Sequence, residues 1–119
     1  MIVAGFGFRG GASLASLRCA LAGHGAVEIT HLATAKDKLG ALEPLAREIG
    51  LPVIGLDAEA LRAARTATVS KHSQAARGTG SVAEAAALAG GGAGARLIHP
   101  RRISIDRMAT CAIAQGHIL

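Results

Sequence analysis

Aromatic side chains are almost absent from this chain of 119 residues, which has two Phe, no Tyr and no Trp. Proteins that hold single-stranded nucleic acid stack its bases on such side chains. The 13 Lys and Arg against 8 Asp and Glu give a formal net charge of +5, yet the sequence shows no helix rich in Lys and Arg. We therefore expect an anionic partner, but not nucleic acid.

Closely spaced metal-ligand residues and long apolar runs are also missing. Cys19 and Cys111 are far apart and outside any CxxC spacing, so the sequence indicates neither a disulfide framework nor a zinc site. The five His show no HxxH or HxxxH spacing. No run approaches the roughly 18 apolar residues that cross a bilayer, and no basic segment precedes the first apolar residues. We expect a cytoplasmic protein that uses no membrane, metal or cofactor.

Half of the residues are apolar and 18% are charged, which suits one compact domain over residues 1–119. Short apolar segments predict strands, and segments of helical spacing separate them. The predicted strands are residues 1–4, 27–34, 52–56, 96–99 and 108–114. The predicted helices are residues 13–23, 39–49, 58–65 and 81–89, and a short helix after Ser70 stays open. This alternation predicts a three-layer α/β/α fold with a mostly parallel sheet of about five strands, mixed if the last two form a hairpin.

A glycine-rich segment follows the first predicted strand, where Gly5, Gly7 and Gly10 form a literal GxGxxG. Between a strand and a helix, such glycines let the phosphates of a dinucleotide approach the helix N-terminus. The acidic residue that would bind the ribose about 20 residues later has no good candidate, because the second strand ends in the basic segment Thr34-Ala-Lys-Asp-Lys38. Three interpretations stay open: a tight turn only, a loop that binds another anion, and NAD(P) binding.

Both aromatic residues, Phe6 and Phe8, lie in this glycine-rich segment, and Arg9 follows them. The two rings, at positions i and i+2, can face the same way and either fill the top of the core or stack on a ligand. Arg9 is harder to bury. Its guanidinium, which binds carboxylates through two N–H groups, is the better candidate for a ligand contact.

Ser81 and Glu84 precede an apolar helical run with the spacing of a capping box. A cap explains both residues without a ligand. The same helix N-terminus, behind Gly78-Thr-Gly80, would also favour an anion through its free N–H groups and its dipole. Residues 62–77 and 96–107 are strongly basic and serve either as solvated surface or as further anion contacts.

The order of these segments resembles the small family of cobalamin-biosynthesis proteins that includes stand-alone CobE and the C-terminal domain of CbiG. The most specific segment is Gly78-Thr-Gly-Ser-Val-Ala-Glu-Ala-Ala-Ala-Leu88, which is similar to the family's Gly-x-x-Ser-Val-Ala-Glu-Ala-Ala-Ala-Leu. The other matching segments are residues 5–13, Ala33-Thr34 with Lys38, Thr68-Val-Ser70 and residues 108–114 with Thr110. The chain departs from the family at residues 39–41, where an acidic residue and Pro are usual, and at Arg101-Arg102, where Lys is usual.

The resemblance implies a role in making the corrin ring, with the aerobic pathway implied by the stand-alone domain. We expect an accessory or carrier protein that binds a corrin or precorrin intermediate and works beside other cobalamin-pathway enzymes. One alternative is a hydrolase that opens the ring-A lactone of a precorrin, with Glu84, His72 or Thr34 to be tested as its base; another is an NADP-binding module. The residues expected to contact the intermediate are Gly5, Phe6, Gly7, Phe8, Arg9, Gly10, Thr34, Lys38, Gly78, Ser81, Glu84, Arg101 and Thr110.

Overall fold

The structure is a computed structural model that describes residues 1–64, 66 and 81–116. These residues form one sheet in the order β3-β2-β1-β5-β4. Its strands are β1 (Ile2–Phe8), β2 (His31–Ala35), β3 (Val53–Leu56), β4 (Arg96–Ile103) and β5 (Ala109–Gln115). Its helices are α1 (Leu14–Ala22), α2 (Leu39–Ile49), α3 (Ala58–Ala63) and α4 (Val82–Gly91), and a 3₁₀ turn, Lys36–Lys38, precedes α2.

The sheet is mixed, because its last two strands form a hairpin. β1, β2 and β3 are parallel neighbours, β5 is antiparallel to β1, and β4 is antiparallel to β5. The predicted α/β fold with five strands is therefore confirmed, including the hairpin that the sequence left open. None of the helices in the described ranges is long and apolar enough to cross a bilayer.

Helices cover both faces of the sheet. Successive side chains of a strand point to opposite faces, so neighbouring residues of β1 pack against different helices. Val3 of β1 packs with Leu61 of α3 and with α4. The next residue, Ala4, packs with residues of α1 and α2 on the other face, as does Phe6. The predicted three-layer arrangement follows from this alternation.

The largest correction to the sequence analysis concerns β1, which runs through Phe8 rather than ending at Ala4. Residues 5–8 were expected to form a glycine-rich loop, but Gly5 pairs with neighbouring strands on both sides. A Cβ on Gly5 would lie 2.2 Å from the carbonyl O of Ala83 and 2.3 Å from the backbone N of Ala87 in α4. Glycine stands in this strand because the helix backbone approaches it closely.

Among the other strands, β2 and β4 differ most from the predicted bounds, whereas the ends of β3 and β5 differ by at most one residue. β2 begins at His31, and the residues before it are irregular, although Val27 and Ile29 still pack against the core. β4 continues through Pro100 to Ile103, with two irregularities in its pairing with β5. An edge strand tolerates Pro because one of its sides has no hydrogen-bonding partner strand.

Local signals at the helix ends are confirmed. Ser13 caps α1 by accepting a hydrogen bond from the backbone N of Ser16, and Asp57 caps α3 in the same way. Gly50 ends α2 in the left-handed conformation, with φ of 72°. The predicted short helix after Ser70, the segment Thr68–Ser70, His72 and Gly78 lie outside the described residues.

Asp106 holds the turn of the β4–β5 hairpin against α1. Its carboxylate accepts hydrogen bonds from the hydroxyls of Ser104 and Ser16 and from the backbone N of Met108. These bonds favour the charged form, the one from Ser104 most strongly, and they lower the pKa of Asp106 below its usual value of 3.8.

We expect Asp106→Asn to remove part of the dependence of stability on acid pH. A carboxyl whose pKa is lowered in the folded state contributes fully above its unfolded pKa, and this contribution is lost as pH falls through the folded value. Urea midpoints at pH 5 and pH 3 measure the effect. The urea midpoint of the wild type should exceed that of the variant by more at pH 5 than at pH 3. An equal difference between the two midpoints at both pH values would contradict this role.

Candidate functional site

Several predicted site residues meet at one edge of the sheet, which we call the carboxyl edge. It consists of the ends of the parallel strands β1, β2 and β3 together with the start of β5, where Ala109 lies opposite Phe8. The end of β4 lies there too, because Ile103 pairs with Thr110. Ligands of open α/β sheets bind outside the carboxyl ends of the parallel strands.

Two threonines bind the backbone at the end of β1. Thr34 Oγ1 donates to the carbonyl O of Phe6 at 2.9 Å, and Thr110 Oγ1 donates to that of Gly7 at 3.1 Å. Thr34 is fully buried, while Thr110 is half-buried. Both hydroxyls therefore fix the course of β1 as it reaches the carboxyl edge.

Lys38 places a positive charge at the same point. Its Nζ lies 3.2 Å from the carbonyl O of Phe8 and 5.1 Å from the centre of the Phe8 ring. An ammonium group has three N–H donors, of which the Phe8 carbonyl takes one. The half-buried pair thus presents a cation beside an apolar ring.

The two phenylalanines have different positions. Phe6 is fully buried within the core on the α1 and α2 face of the sheet. Phe8, two residues on, is half-buried at the carboxyl edge, where it packs only partly against that core. Of the two interpretations that the sequence left open, Phe6 fills the core, and Phe8 alone has ring surface to offer a ligand.

The N-terminus of α4 adjoins the end of β1. A Cβ on Gly7 would lie 3.1 Å from the Cβ of Val82 and 3.1 Å from Oγ1 of Thr110. Ser81, the buried N-cap of this helix, accepts a hydrogen bond from the backbone N of Glu84 at 3.2 Å. This bond is the first half of the predicted capping box.

Glu84 also links α4 to the edge strand β4. Its side chain is fully buried, and Oε2 accepts a hydrogen bond from the backbone N of Arg101 at 2.9 Å. This contact could not be predicted from the sequence, because 17 residues separate the pair and nothing local in either segment indicates it. The carboxylate therefore serves the packing of helix on strand.

Arg9 and Gly10 lie on the exposed side of the carboxyl edge. The backbone N of Arg9 donates to the carbonyl O of Met108 at 2.9 Å, which extends the contact between β1 and the hairpin by one residue. Both Arg9 and Gly10 are exposed, and nothing lies within 4 Å of a Cβ placed on Gly10. The loop that can meet a ligand is thus residues 9–13, shorter than the sequence indicated.

The described residues offer neither a reactive Cys111 nor a cluster of three metal ligands. Cys111 is fully buried in β5, and burial raises the pKa of its thiol, so the group stays protonated and unreactive at neutral pH. No group of three His, Cys, Asp or Glu side chains suited to a metal ion occurs among residues 1–64, 66 and 81–116.

The chain matches the family model described as cobalamin synthesis G C-terminus over residues 2–114. It is similar to the crystal structure of CobE, a protein from the cobalamin (vitamin B12) biosynthetic pathway, with 32% identity over 98% of this chain and 91% of that one, at a TM-score of 0.86. It is also similar to the cobalamin biosynthesis protein chiG from Agrobacterium tumefaciens str. C58, with 33% identity over 99% of this chain and all of that one, at a TM-score of 0.74.

A third structure, a cobalamin biosynthesis protein G homolog from Sulfolobus solfataricus, shares the fold. The identity is 20% and the TM-score 0.72, over 98% of this chain but only 37% of the longer one. No curated protein matches the chain. The family match and the two structures above 30% identity confirm the resemblance seen in the sequence. This chain belongs to the cobalamin synthesis G C-terminus family and is a protein of cobalamin biosynthesis.

Proposed function

We propose that this protein binds a corrin or precorrin intermediate at the carboxyl edge, as an accessory or carrier protein of the aerobic pathway. Such intermediates carry many acetate and propionate carboxylates around a flat apolar macrocycle. The observation that carries the proposal is the pairing of Lys38 with Phe8, which sets a cation beside an apolar ring at the end of β1.

The surroundings of this pair suit an anionic macrocycle. Arg9 is exposed one residue beyond Phe8, so its guanidinium can bind a second carboxylate through two N–H groups. Arg101 is half-buried in β4, and its backbone is held by Glu84 near the N-terminus of α4. Thr34 and Thr110 position the strand and need not touch the ligand, since their hydroxyls already bind the backbone of β1.

A lactone hydrolase is less well supported by this geometry. Glu84 is fully buried and accepts a hydrogen bond from the Arg101 backbone, so its carboxylate has no access to a water beside a ligand. The hydroxyl of Thr34 is buried and donates to Phe6. The NADP-binding alternative rested on a glycine loop, and two of its three glycines belong to β1 instead.

The proposal is tested by titrating the purified protein with hydrogenobyrinic acid, a metal-free corrinoid, and following the visible spectrum and co-elution in gel filtration. We expect saturable binding of one corrinoid per chain. Lys38→Met keeps the apolar stem but removes the charge, and Arg9→Ala removes the exposed guanidinium. Each should weaken binding about tenfold, the change that follows from losing roughly 1.4 kcal/mol.

Arg47→Ala is the matched control, because Arg47 is an exposed cation in the last turn of α2, about 13 Å along the helix from Lys38. It should bind the corrinoid as the wild type does. Equal weakening in all three variants would indicate only non-specific attraction to a basic protein. Absence of binding, with saturable binding of NADPH, would overturn the proposal and favour the dinucleotide alternative.

A further inference from the structure

His24, which follows α1, has one ring nitrogen bound and one unused. Its Nε2 lies 2.6 Å from the carbonyl O of Cys111 in β5. A carbonyl only accepts, so Nε2 carries the proton and Nδ1 presents a lone pair. The residue is 8% exposed, and Nδ1 is the one buried side-chain N or O among the described residues that has no hydrogen-bond partner. A buried polar atom without a partner calls for an explanation.

A second histidine ring lies next to it. The ring of His99 in β4 has its centre 5.5 Å from that of His24, and the ring planes meet at 73°. Imidazole nitrogens lie about 2.0–2.1 Å from zinc, and adding about 1.1 Å from nitrogen to ring centre places each centre about 3.2 Å from a shared metal. Two imidazole rings that bind one metal at a tetrahedral to trigonal ligand–metal–ligand angle have centres about 5.2–5.5 Å apart. The observed distance of 5.5 Å between the ring centres agrees with this range.

The hydrogen bond to Cys111 has the form found around metal-bound histidines. Such histidines usually donate their other N–H to a backbone carbonyl or carboxylate, which fixes the tautomer and orients the ring. The carbonyl of Cys111 in the central part of the sheet already does this for His24. The His24 ring is thus held in one orientation, with its Nδ1 unused and the His99 ring next to it.

We propose that His24 and His99 form a two-histidine site for a divalent transition metal of the zinc, cobalt or nickel type, with His24 binding through Nδ1. These metals take neutral imidazole readily. In the described part of the chain no third His, Cys, Asp or Glu completes the group, so water or an external ligand would fill the remaining positions. The site lies at the C-terminal end of α1, where His24 follows the helix and His99 lies in β4.

Arg102 gives the proposal its sharpest test. It lies in the same strand as His99 and is exposed, and its Cδ is 3.5 Å from a Cβ placed on Gly23, the residue before His24. Its positive charge opposes a bound cation and would favour a bound anion. Arg102→Gln should therefore increase metal affinity several-fold, whereas it would weaken the binding of an anion such as inorganic phosphate.

The experiment is calorimetric titration of the full chain with ZnCl₂ and, separately, with sodium phosphate. We expect one Zn²⁺ per chain, with the His24 ring signals shifted in nuclear magnetic resonance spectra. His99→Gln, on the edge strand, should lose this Zn²⁺ while circular dichroism stays unchanged. His24→Gln should lose it as well, since the amide can still donate to Cys111 but has no lone-pair nitrogen.

His31→Gln is the matched control, because His31 lies in β2 and its Nδ1 is already within 2.7 Å of Thr30 Oγ1. It should bind Zn²⁺ as the wild type does. The proposal is overturned if the wild type binds no Zn²⁺, or if His99→Gln binds it equally well. It is also overturned if phosphate, and not Zn²⁺, binds in a manner that Arg102→Gln abolishes.

Discussion

Gly5→Ala should lower the free energy of unfolding by about 3 kcal/mol, the upper range for adding a methyl group to a close-packed interior. The new Cβ would lie 2.2 Å from the carbonyl O of Ala83 and 2.3 Å from the backbone N of Ala87. Both atoms belong to the backbone of α4, so the clash can be relieved only if the helix moves away from the sheet. Urea unfolding followed by circular dichroism measures the loss.

Gly10→Ala is the matched control within the same GxGxxG segment. Nothing lies within 4 Å of a Cβ placed on Gly10, and the residue is exposed. Its free energy of unfolding should change by less than about 1 kcal/mol, because the substitution mainly restricts the unfolded chain. If Gly10→Ala proved more damaging than Gly5→Ala, the glycines would be serving a loop conformation, and the packing explanation would be wrong.

This contrast also shows why the sequence misplaced the end of β1. Glycine weakens isolated strands, so Gly5 and Gly7 indicate a loop when only their neighbours in sequence are considered. In the fold they face Ala83 and Val82 of α4, some 75 residues later in the chain. The sequence does contain a glycine-rich strand and an Ala-rich helix, whose small residues allow two backbones to approach closely. This pattern predicts the contact only when the two elements are known to pack together.

Features that depend on local chemistry were predictable. Ser13 and Asp57 cap their helices through bonds to residues three positions on, and Gly50 ends α2 through its own backbone conformation. Lys38 lies at the end of β1 because it follows β2, and the parallel strands β1 and β2 place their carboxyl ends at one edge. Thr110 came from the family resemblance and lies near the start of the antiparallel strand β5. The helix ends needed only local residue types, and the position of Lys38 needed only the order of the elements.

Contacts between distant segments were not predictable in this way. The bond from Arg101 to Glu84 depends on the course of β4 through Pro100, whereas the predicted strand stopped at residue 99. His24 and His99 are likewise far apart in the chain, and a search for local ligand spacings could not pair them. The packing of α1 on the β4–β5 hairpin brings the rings of His24 and His99 together.

The second large effect is expected at Glu84. Glu84→Ala should lower the free energy of unfolding by about 3 kcal/mol, since it opens a cavity in a fully buried position and leaves the backbone N of Arg101 without this acceptor. Glu43→Ala, at an exposed position of α2, is the control and should cost less than about 0.5 kcal/mol. Urea midpoints of the two variants give the comparison.

Glu84→Gln separates the structural role from a catalytic one. The amide keeps an oxygen that can accept a hydrogen bond from the backbone N of Arg101, so Glu84→Gln should recover most of the stability that Glu84→Ala loses. The corrinoid should bind to Glu84→Gln as it does to the wild type. A base in a lactone hydrolase would behave differently: Glu84→Ala would stay as stable as the wild type, and Glu84→Gln would bind the intermediate without turning it over. Because the carboxylate is buried and bound to β4, we expect Glu84→Ala to lower the free energy of unfolding. The same change should also disturb the position of Arg101 at the carboxyl edge.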